Sequence, residues 1–159
     1  MQLQGINTHR QGSTKRQLEN GMEGDVGLQQ QSNANVSILI VEDNRAASKL
    51  IGRMVALNFP DAVVYSADNG LTGVELFIKH DPDIVLTDIS MPEMNGFAMV
   101  NEIQSIRPDT KFIVFTAHSE GEFLPRFKAI GVDKYLLKPL SLDELMMAID
   151  GCTYEEEHL

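Results

Sequence analysis

Five polar side chains lie at the ends of apolar segments of the sequence, where they could meet in one reactive site. Glu42 and Asp43 follow one aliphatic run, Asp88 ends a second, Thr116 ends a third, and Lys138 follows a fourth. Such runs are typical of buried parallel strands, whose carboxyl ends meet at one edge of a sheet. We therefore expect three carboxylates, a hydroxyl and an amine to converge at that edge.

Three carboxylates at close range repel one another, and a bound divalent cation would relieve the repulsion. Oxygen ligands without sulfur indicate Mg²⁺ or Mn²⁺ rather than zinc. An amine and a hydroxyl beside the metal suit a phosphoryl group in transfer, because they neutralise or hydrogen-bond its oxygens. In such a site Asp88 would be the nucleophile and would form an acyl phosphate.

Each of these residues also has an ordinary structural interpretation. Asp88 could cap the following turn or helix, and Glu42 with Asp43 could cap a helix and supply acids to its first turn. Thr116 could be a β-branched residue that ends a strand, and Lys138 could be a surface lysine. Taken singly, these interpretations are at least as good as the site. The occurrence of all five residues at successive strand ends favours a common site.

The hydrophobic pattern predicts five strands that alternate with five helices. The strands are expected at residues 36–41, 62–66, 84–88, 111–116 and 134–137. The first helix is expected to begin after the cap residue Asn44 and to end before Pro60, and the second to run from Asn69-Gly70 to Asp81. The third is expected from Phe97 to near Arg107, and the fourth over 120–130. The fifth is expected to begin at the capping box of Ser141 and Glu144.

The fourth helix has an irregular pattern. Gly121 and Pro125 both oppose a regular helix there. Two forms fit the pattern: a helix that begins late, with Pro125 in its first turn, or a helix that is kinked at Pro125. Gly131 is expected to end the helix.

Alternation of strands and helices predicts an α/β fold, a parallel sheet with helices on both faces and right-handed crossovers. We expect the strand order 2-1-3-4-5 of a flavodoxin-like, doubly wound sheet. Its ligand crevice would lie between the first and third strands, where the chain direction across the sheet reverses.

Composition divides the chain of 159 residues into three parts. Residues 1–35 are rich in Gln, Asn, Gly and Ser, and we expect them to form a flexible tail. Residues 36–152 hold the strand and helix pattern and predict a single domain. Residues 153–159 are expected to form an acidic tail.

The charge balance restricts the partners that the chain can bind directly. The formal net charge is −10, which argues against direct DNA binding, because phosphate contacts need clusters of Lys and Arg. Cys152 is the only cysteine, so no internal disulfide can form, and no apolar run predicts membrane insertion. We expect a cytoplasmic protein. Neither Gly-rich nucleotide-binding motif follows a predicted strand.

Four segments taken together resemble the receiver domain of two-component response regulators: residues 38–44 (ILIVEDN), 85–96 (VLTDISMPEMNG), 114–117 (VFTA) and 135–139 (YLLKP). The resemblance implies that Asp88 is phosphorylated by a sensor histidine kinase or a phosphotransfer protein. It also implies that Asp43, Asp88 and the main-chain carbonyl of Ser90 bind Mg²⁺ or Mn²⁺, with Glu42 assisting through water.

The same resemblance assigns further roles. Thr116 matches the switch hydroxyl, Lys138 the lysine that pairs with the phosphoryl group, and Tyr135 the aromatic residue whose rotamer follows Thr116. Ser90 and His118 lie where the family tunes the lifetime of the phosphoryl group. His118 could also be a metal ligand or an acid–base group, but an ordinary exposed loop histidine is the better interpretation.

The function implied is a phosphorylation switch. The face formed by the fourth helix, fifth strand and fifth helix would change and bind a downstream protein. Catalysis would be limited to self-catalysed phosphotransfer and autodephosphorylation. One alternative is a Mg²⁺-dependent phosphohydrolase, disfavoured because Ser90 stands where a second acid would be needed. Another is an interaction module that works without phosphorylation, disfavoured by the complete set of site residues. No DNA-binding or enzyme motif follows Asp150, so we expect output through protein binding or phosphoryl relay.

Overall fold

A five-stranded parallel sheet organises the residues that the computed structural model describes, which are 35–117 and 124–154. The strands are β1 (Ser37–Val41), β2 (Val63–Ala67), β3 (Ile84–Asp88), β4 (Lys111–Thr116) and β5 (Lys134–Leu137). Their order is β2-β1-β3-β4-β5, which confirms the predicted doubly wound α/β fold. The register pairs Thr87 with Val41 and Asp88 with Phe115, so the carboxyl ends of these strands lie side by side.

Five helices connect or follow the strands: α1 (Arg45–Asn58), α2 (Gly70–His80), α3 (Gly96–Ile106), α4 (Leu124–Ile130) and α5 (Leu142–Tyr154). Asparagine side chains cap the first three. Asn44, Asn69 and Asn95 each accept a hydrogen bond from the backbone N–H three residues later, at 3.0, 2.8 and 3.0 Å. Each cap satisfies an N–H that the helix leaves unpaired, so α1, α2 and α3 begin directly after their cap residues.

Several boundaries differ from the predicted ones by one or two residues. β2 begins at Val63 rather than residue 62, and α3 begins at Gly96 because Asn95 is its cap. α5 continues to Tyr154, and the hydroxyl of Thr153 donates to the carbonyl of Asp150 at 2.9 Å within the last turn. The helix thus includes the first two residues of the predicted acidic tail, and residues 155–159 lie outside the described part.

The described part of α4 is Leu124–Ile130 and contains Pro125. The late start and the kink at Pro125 both stay predictions, because they differ in the residues that precede Leu124. Gly131 follows the helix with φ of 76°, a left-handed conformation that ends helices, as predicted. Residues 118–123, with the predicted beginning of this helix at 120, lie outside the described part.

Apolar side chains cover both faces of the sheet. α1 and α5 pack on one face, and their buried residues share a cluster with Ile38, Ile84 and Ile113 of the strands. α2 and α3 pack on the other face, in a cluster with Leu39, Val85 and Phe112. Every residue of β3 is buried, so this strand is a rigid support for its last residue, Asp88. Within the described ranges, no helix combines the length and the apolarity needed to cross a membrane.

Candidate functional site

Asp88 lies at the carboxyl end of the central strand with only 6% of its surface exposed. Its Oδ1 accepts hydrogen bonds from the backbone N–H groups of Ile89 at 2.7 Å and Ser90 at 3.4 Å. The ordinary interpretation of Asp88 is thus partly correct, because this oxygen does cap the following turn. The helix cap is a different residue, Asn95. The second oxygen, Oδ2, is directed to another partner.

That partner is Lys138, whose Nζ lies 3.0 Å from Asp88 Oδ2 and 3.1 Å from Glu42 Oε2. The residue follows β5, and its backbone N–H donates to the carbonyl of Thr116 at 2.8 Å, which fixes its position beside β4. The peptide bond from Lys138 to Pro139 is cis. The interpretation of Lys138 as an ordinary surface lysine is therefore wrong. It joins two carboxylates from the ends of β1 and β3.

Glu42 is more deeply buried than the sequence indicated, with 2% of its surface exposed. Its Oε1 accepts a hydrogen bond from the backbone N–H of Asn44 at 3.0 Å. Burial raises the pKa of Glu42, the hydrogen bonds from Asn44 and Lys138 oppose that rise, and the negative charge of Asp88 adds to it. The net direction is a raised pKa, so the charged form of Glu42 costs free energy in the folded protein.

The pKa of Lys138 shifts in the direction that favours an ion pair. Burial lowers its pKa, but hydrogen bonds to Asp88 and Glu42, together with their negative charges, raise it above the ordinary value. The lysine therefore stays protonated between its two carboxylates. Because both partners are almost fully buried, removal of this cation would leave two like charges facing each other.

A third carboxylate lies within reach of this pair. Glu42, Asp43 and Asp88 each offer an oxygen, and these three atoms lie within 4.8 Å of one another. Asp43 is exposed, which opens the group to solvent on one side. A set of hard oxygen donors that is buried at its base and open at its rim fits Mg²⁺ or Mn²⁺. The predicted convergence of the three acids is thus observed in the geometry.

The remaining predicted residues have the following positions. Thr116 ends β4 and is buried, with 1% of its surface exposed. Tyr135 lies on β5, half-buried, where it pairs with Val114 of β4. Ser90 is exposed, and the role of its carbonyl as a metal ligand stays a prediction. His118 lies outside the described residues.

Sequence reasoning treated Gly96 as part of a turn and missed how closely it approaches the site. Its N–H donates to the carbonyl of Ile89 at 2.9 Å, and a Cβ at this position would lie 2.5 Å from the carbonyl oxygen of Asp88. Only glycine fits such an approach without a shift of the backbone. The Asn95-Gly96 step was the signal that could have indicated it.

Comparison with known proteins supports one family. The model of the response regulator receiver domain matches residues 38–150. Among curated proteins, the chain is 32% identical over 113 residues to the chemotaxis protein CheY of Bacillus subtilis. This match covers 71% of this chain and 93% of CheY. It is 30% identical over 123 residues to the transcriptional regulatory protein DegU of Brevibacillus brevis, and this match covers 77% of this chain and 52% of DegU.

A solved structure has a similar fold. The N-terminal domain of an uncharacterized protein from Wolinella succinogenes superposes with a TM-score of 0.70 at 32% identity, covering 77% of this chain and 97% of that domain. The chain spans about half the length of DegU and about a quarter of the regulatory protein AtoC of Escherichia coli. The region of likeness therefore corresponds to one part of these longer regulators.

Proposed function

Since the chain belongs to the response regulator receiver domain family, we propose that Asp88 accepts a phosphoryl group from a sensor histidine kinase or a phosphotransfer protein. One observation supports this proposal above the others: Lys138 Nζ lies 3.0 Å from Asp88 Oδ2, beside a cluster of three carboxylates suited to a divalent cation. A cation beside a nucleophilic carboxylate can also neutralise negative charge on the phosphoryl group that is transferred to that carboxylate.

The proposed step exchanges one phosphorus bond for another. A carboxylate oxygen of Asp88 forms a bond to phosphorus, and the bond from phosphorus to the donor's imidazole nitrogen breaks. The electron pair stays on that nitrogen, which takes a proton from water. The ammonium of Lys138 then pairs with a phosphoryl oxygen, and the hydroxyl of Thr116 donates a hydrogen bond to another.

We assign the metal site to Asp43, Asp88 and the carbonyl of Ser90, with Glu42 assisting through water. When bound, Mg²⁺ or Mn²⁺ would neutralise charge on the phosphoryl oxygens. The protein's own residues position the nucleophile: the N–H of Ile89 orients Asp88, and burial of β3 holds that strand end in place. Ser90 and His118 would tune the lifetime of the acyl phosphate.

The proposed output surface is formed by α4, β5 and α5. A groove of about 390 Å³ between β5 and α5 is lined by Tyr135, Leu137, Glu144 and Met147, among others. The side chain of Met147 is 73% exposed and that of Leu137 38% exposed. Apolar side chains at such exposure suit a protein partner. Movement of Thr116 and Tyr135 after phosphorylation would alter this surface and its affinity for a downstream protein.

Two further assignments rest on the sequence alone. Residues 36–152 would be the signalling domain; the predicted tail at 1–35 lies, except for its last residue, outside the described part. Absence of direct DNA contact stays a prediction from the net charge of −10. It concerns this chain only, because longer relatives such as DegU are named transcriptional regulatory proteins.

Intact mass spectrometry after incubation with acetyl phosphate and Mg²⁺ tests the proposal. We expect one phosphoryl group on the wild type, removed by hydroxylamine, and none on Asp88→Asn. Asp109→Asn is the matched control, because it makes the same change at an exposed residue and should leave the adduct intact.

Absence of any adduct on the wild type, with a histidine-phosphorylated donor as well as acetyl phosphate, would contradict the proposal and favour a phosphorylation-independent module. Turnover of a small phosphate ester at a steady rate would instead favour the phosphohydrolase alternative. An adduct that persists in Asp88→Asn would place the acceptor at another residue.

A further inference from the structure

Three aromatic rings form a continuous row beside the candidate site. Phe97, in the first turn of α3, stacks on Phe127 of α4 with ring centroids 4.7 Å apart and 21° between the planes. Phe127 in turn contacts Tyr135 of β5, at 5.0 Å and 45°. We call Phe97, Phe127 and Tyr135 the ring stack. Phe97 and Phe127 are 5% and 2% exposed, so the stack is enclosed by the protein along most of its length.

One end of the ring stack lies next to the backbone of the phosphoacceptor Asp88. Phe97 follows Gly96, whose N–H donates to the carbonyl of Ile89 and whose Cα approaches Asp88 so closely that no Cβ could fit. The side chain of Ile89 belongs to the same apolar cluster as Phe97, Val114 and Phe127. A displacement of the chain immediately after Asp88 would therefore also displace Phe97.

The other end of the ring stack is Tyr135, on the proposed output surface. Phe127 of α4 contacts both Phe97 and Tyr135. The guanidinium of Arg126 lies 4.1 Å from the centroid of Phe97, so α4 contacts this ring with two consecutive residues. Close-packed rings in a protein interior transmit displacements, because no space is left into which one ring can move alone.

We propose that Phe127 is a positioning residue that couples the backbone after Asp88 to the ring of Tyr135. This route runs from β3 through α3 and α4 to β5, and it is separate from the proposed route through the hydroxyl of Thr116. The inference rests on the proposed function only in naming phosphorylation as the event that starts the displacement.

The chemistry at Asp88 gives a reason for that displacement. Oδ1 of the free carboxylate accepts the N–H of Ile89 at 2.7 Å. Formation of the acyl phosphate removes the charge of the carboxylate, so its oxygens become weaker acceptors. The hydrogen bond that holds Ile89 would weaken, and Ile89 packs in the same cluster as the ring stack.

Fluorine NMR of the full chain with fluorotyrosine at its three tyrosines tests the coupling without any phosphorylation. Tyr→Phe variants assign the resonances. We expect Phe97→Leu to shift the resonance of Tyr135, and we expect that shift to be lost when Phe127→Leu is also present. No shift in Phe97→Leu, or an equal shift in the double variant, would overturn the proposal.

Matched controls separate coupling from general loosening of the core. Phe77 is as deeply buried as Phe127 but lies on α2 in another cluster, so Phe77→Leu should leave the resonance of Tyr135 in place. Tyr65, which stacks on His80, should not respond to Phe97→Leu. Arg126→Gln is a milder perturbation of Phe97 from an exposed side chain, and its effect on Tyr135 should likewise be lost with Phe127→Leu. A shift of Tyr135 by Phe77→Leu as large as that by Phe97→Leu would contradict the proposal.

Addition of acetyl phosphate and Mg²⁺ then distinguishes this inference from the proposed function. With equal phosphorylation measured by intact mass, Phe127→Leu should reduce the shift of Tyr135 relative to the wild type. A full shift in that variant would overturn the coupling while the proposed function stands. If the wild type accepts no phosphoryl group, the proposed function fails, and the measurements on the unmodified protein still decide the coupling.

Discussion

At the scale of single residues, Glu42 is the clearest source of pH dependence. Its pKa is raised, chiefly by burial, so the folded protein binds a proton at this carboxyl more tightly than the unfolded chain does. The stability contributed by the protonated form is fully present below the ordinary pKa of 4.5 and is lost as the pH rises through the raised value. The ionised Glu42 is thus a destabilising group at neutral pH.

Glu42→Gln should therefore raise the free energy of unfolding at pH 7, by about 0.5–2 kcal/mol, the range of typical stabilising substitutions. Lys138 keeps its contact with Asp88, so the change leaves no unpaired cation. Urea unfolding with a chelator present, compared between pH 4 and pH 7, measures the effect. The advantage of the variant should shrink toward pH 4.

The control is Glu75→Gln, which removes the same charge from an exposed position on α2 and should not reproduce the gain in stability at pH 7. A constant advantage of Glu42→Gln at both pH values would contradict the assigned pKa direction.

The sequence predicted which residues meet in the site but not how they pair. Strand ends in a parallel sheet converge by topology, so Glu42, Asp43, Asp88 and Lys138 could be placed together from the pattern alone. The detail that Lys138 contacts Glu42 as well as Asp88 depends on side-chain conformations after β5. The burial of Glu42 depends on packing, which spacing does not report.

At the scale of elements, the start of α3 against the end of β3 is the most demanding contact. Gly96→Ala would place a Cβ 2.5 Å from the carbonyl oxygen of Asp88 and 3.0 Å from the Cα of Ile89. The backbone must shift to make room, at a cost of about 1–3 kcal/mol, as for other overpacked sites. We expect lower stability in thermal unfolding and slower phosphorylation by acetyl phosphate, since Asp88 is displaced.

Gly52→Ala is the matched control for this prediction. Gly52 lies within α1, and a Cβ there would have no neighbour within 4 Å. Alanine should stabilise the helix by about 0.5–1 kcal/mol because glycine loses more conformational freedom on folding. Equal effects of the two substitutions would show that the close approach of Gly96 is unimportant.

Prediction of elements was good where local signals are strong and poorer where tertiary contacts decide. Asn44 caps α1 as predicted, and Asn69, where the second helix was expected to open, caps α2, because the Asx cap is a local interaction. The ring stack had no sequence signal, since Phe97, Phe127 and Tyr135 come from three elements that only the fold brings together. The start of β2 is set by pairing with β1, and sequence patterns define such starts to within a few residues.

At the scale of the whole molecule, a net charge of −10 means that any cation reduces self-repulsion in the folded state. A specific site must stabilise beyond that general effect. Binding to the folded state alone raises the free energy of unfolding by about 2.7 kcal/mol when the ligand is at 100 times its Kd. The carboxylates of Glu42, Asp43 and Asp88, within 4.8 Å of one another, are where such binding is expected.

We therefore predict that Mg²⁺ raises the Tm more than NaCl at the same ionic strength. Asp43→Asn should lose most of the excess, because it removes an exposed ligand without breaking the ion pair of Lys138. Asp109→Asn also removes one negative charge, at an exposed residue, and should keep the excess. A rise in Tm that NaCl reproduces in full, or that Asp43→Asn retains, would show that Mg²⁺ acts by screening the acidic molecule and not by occupying the site.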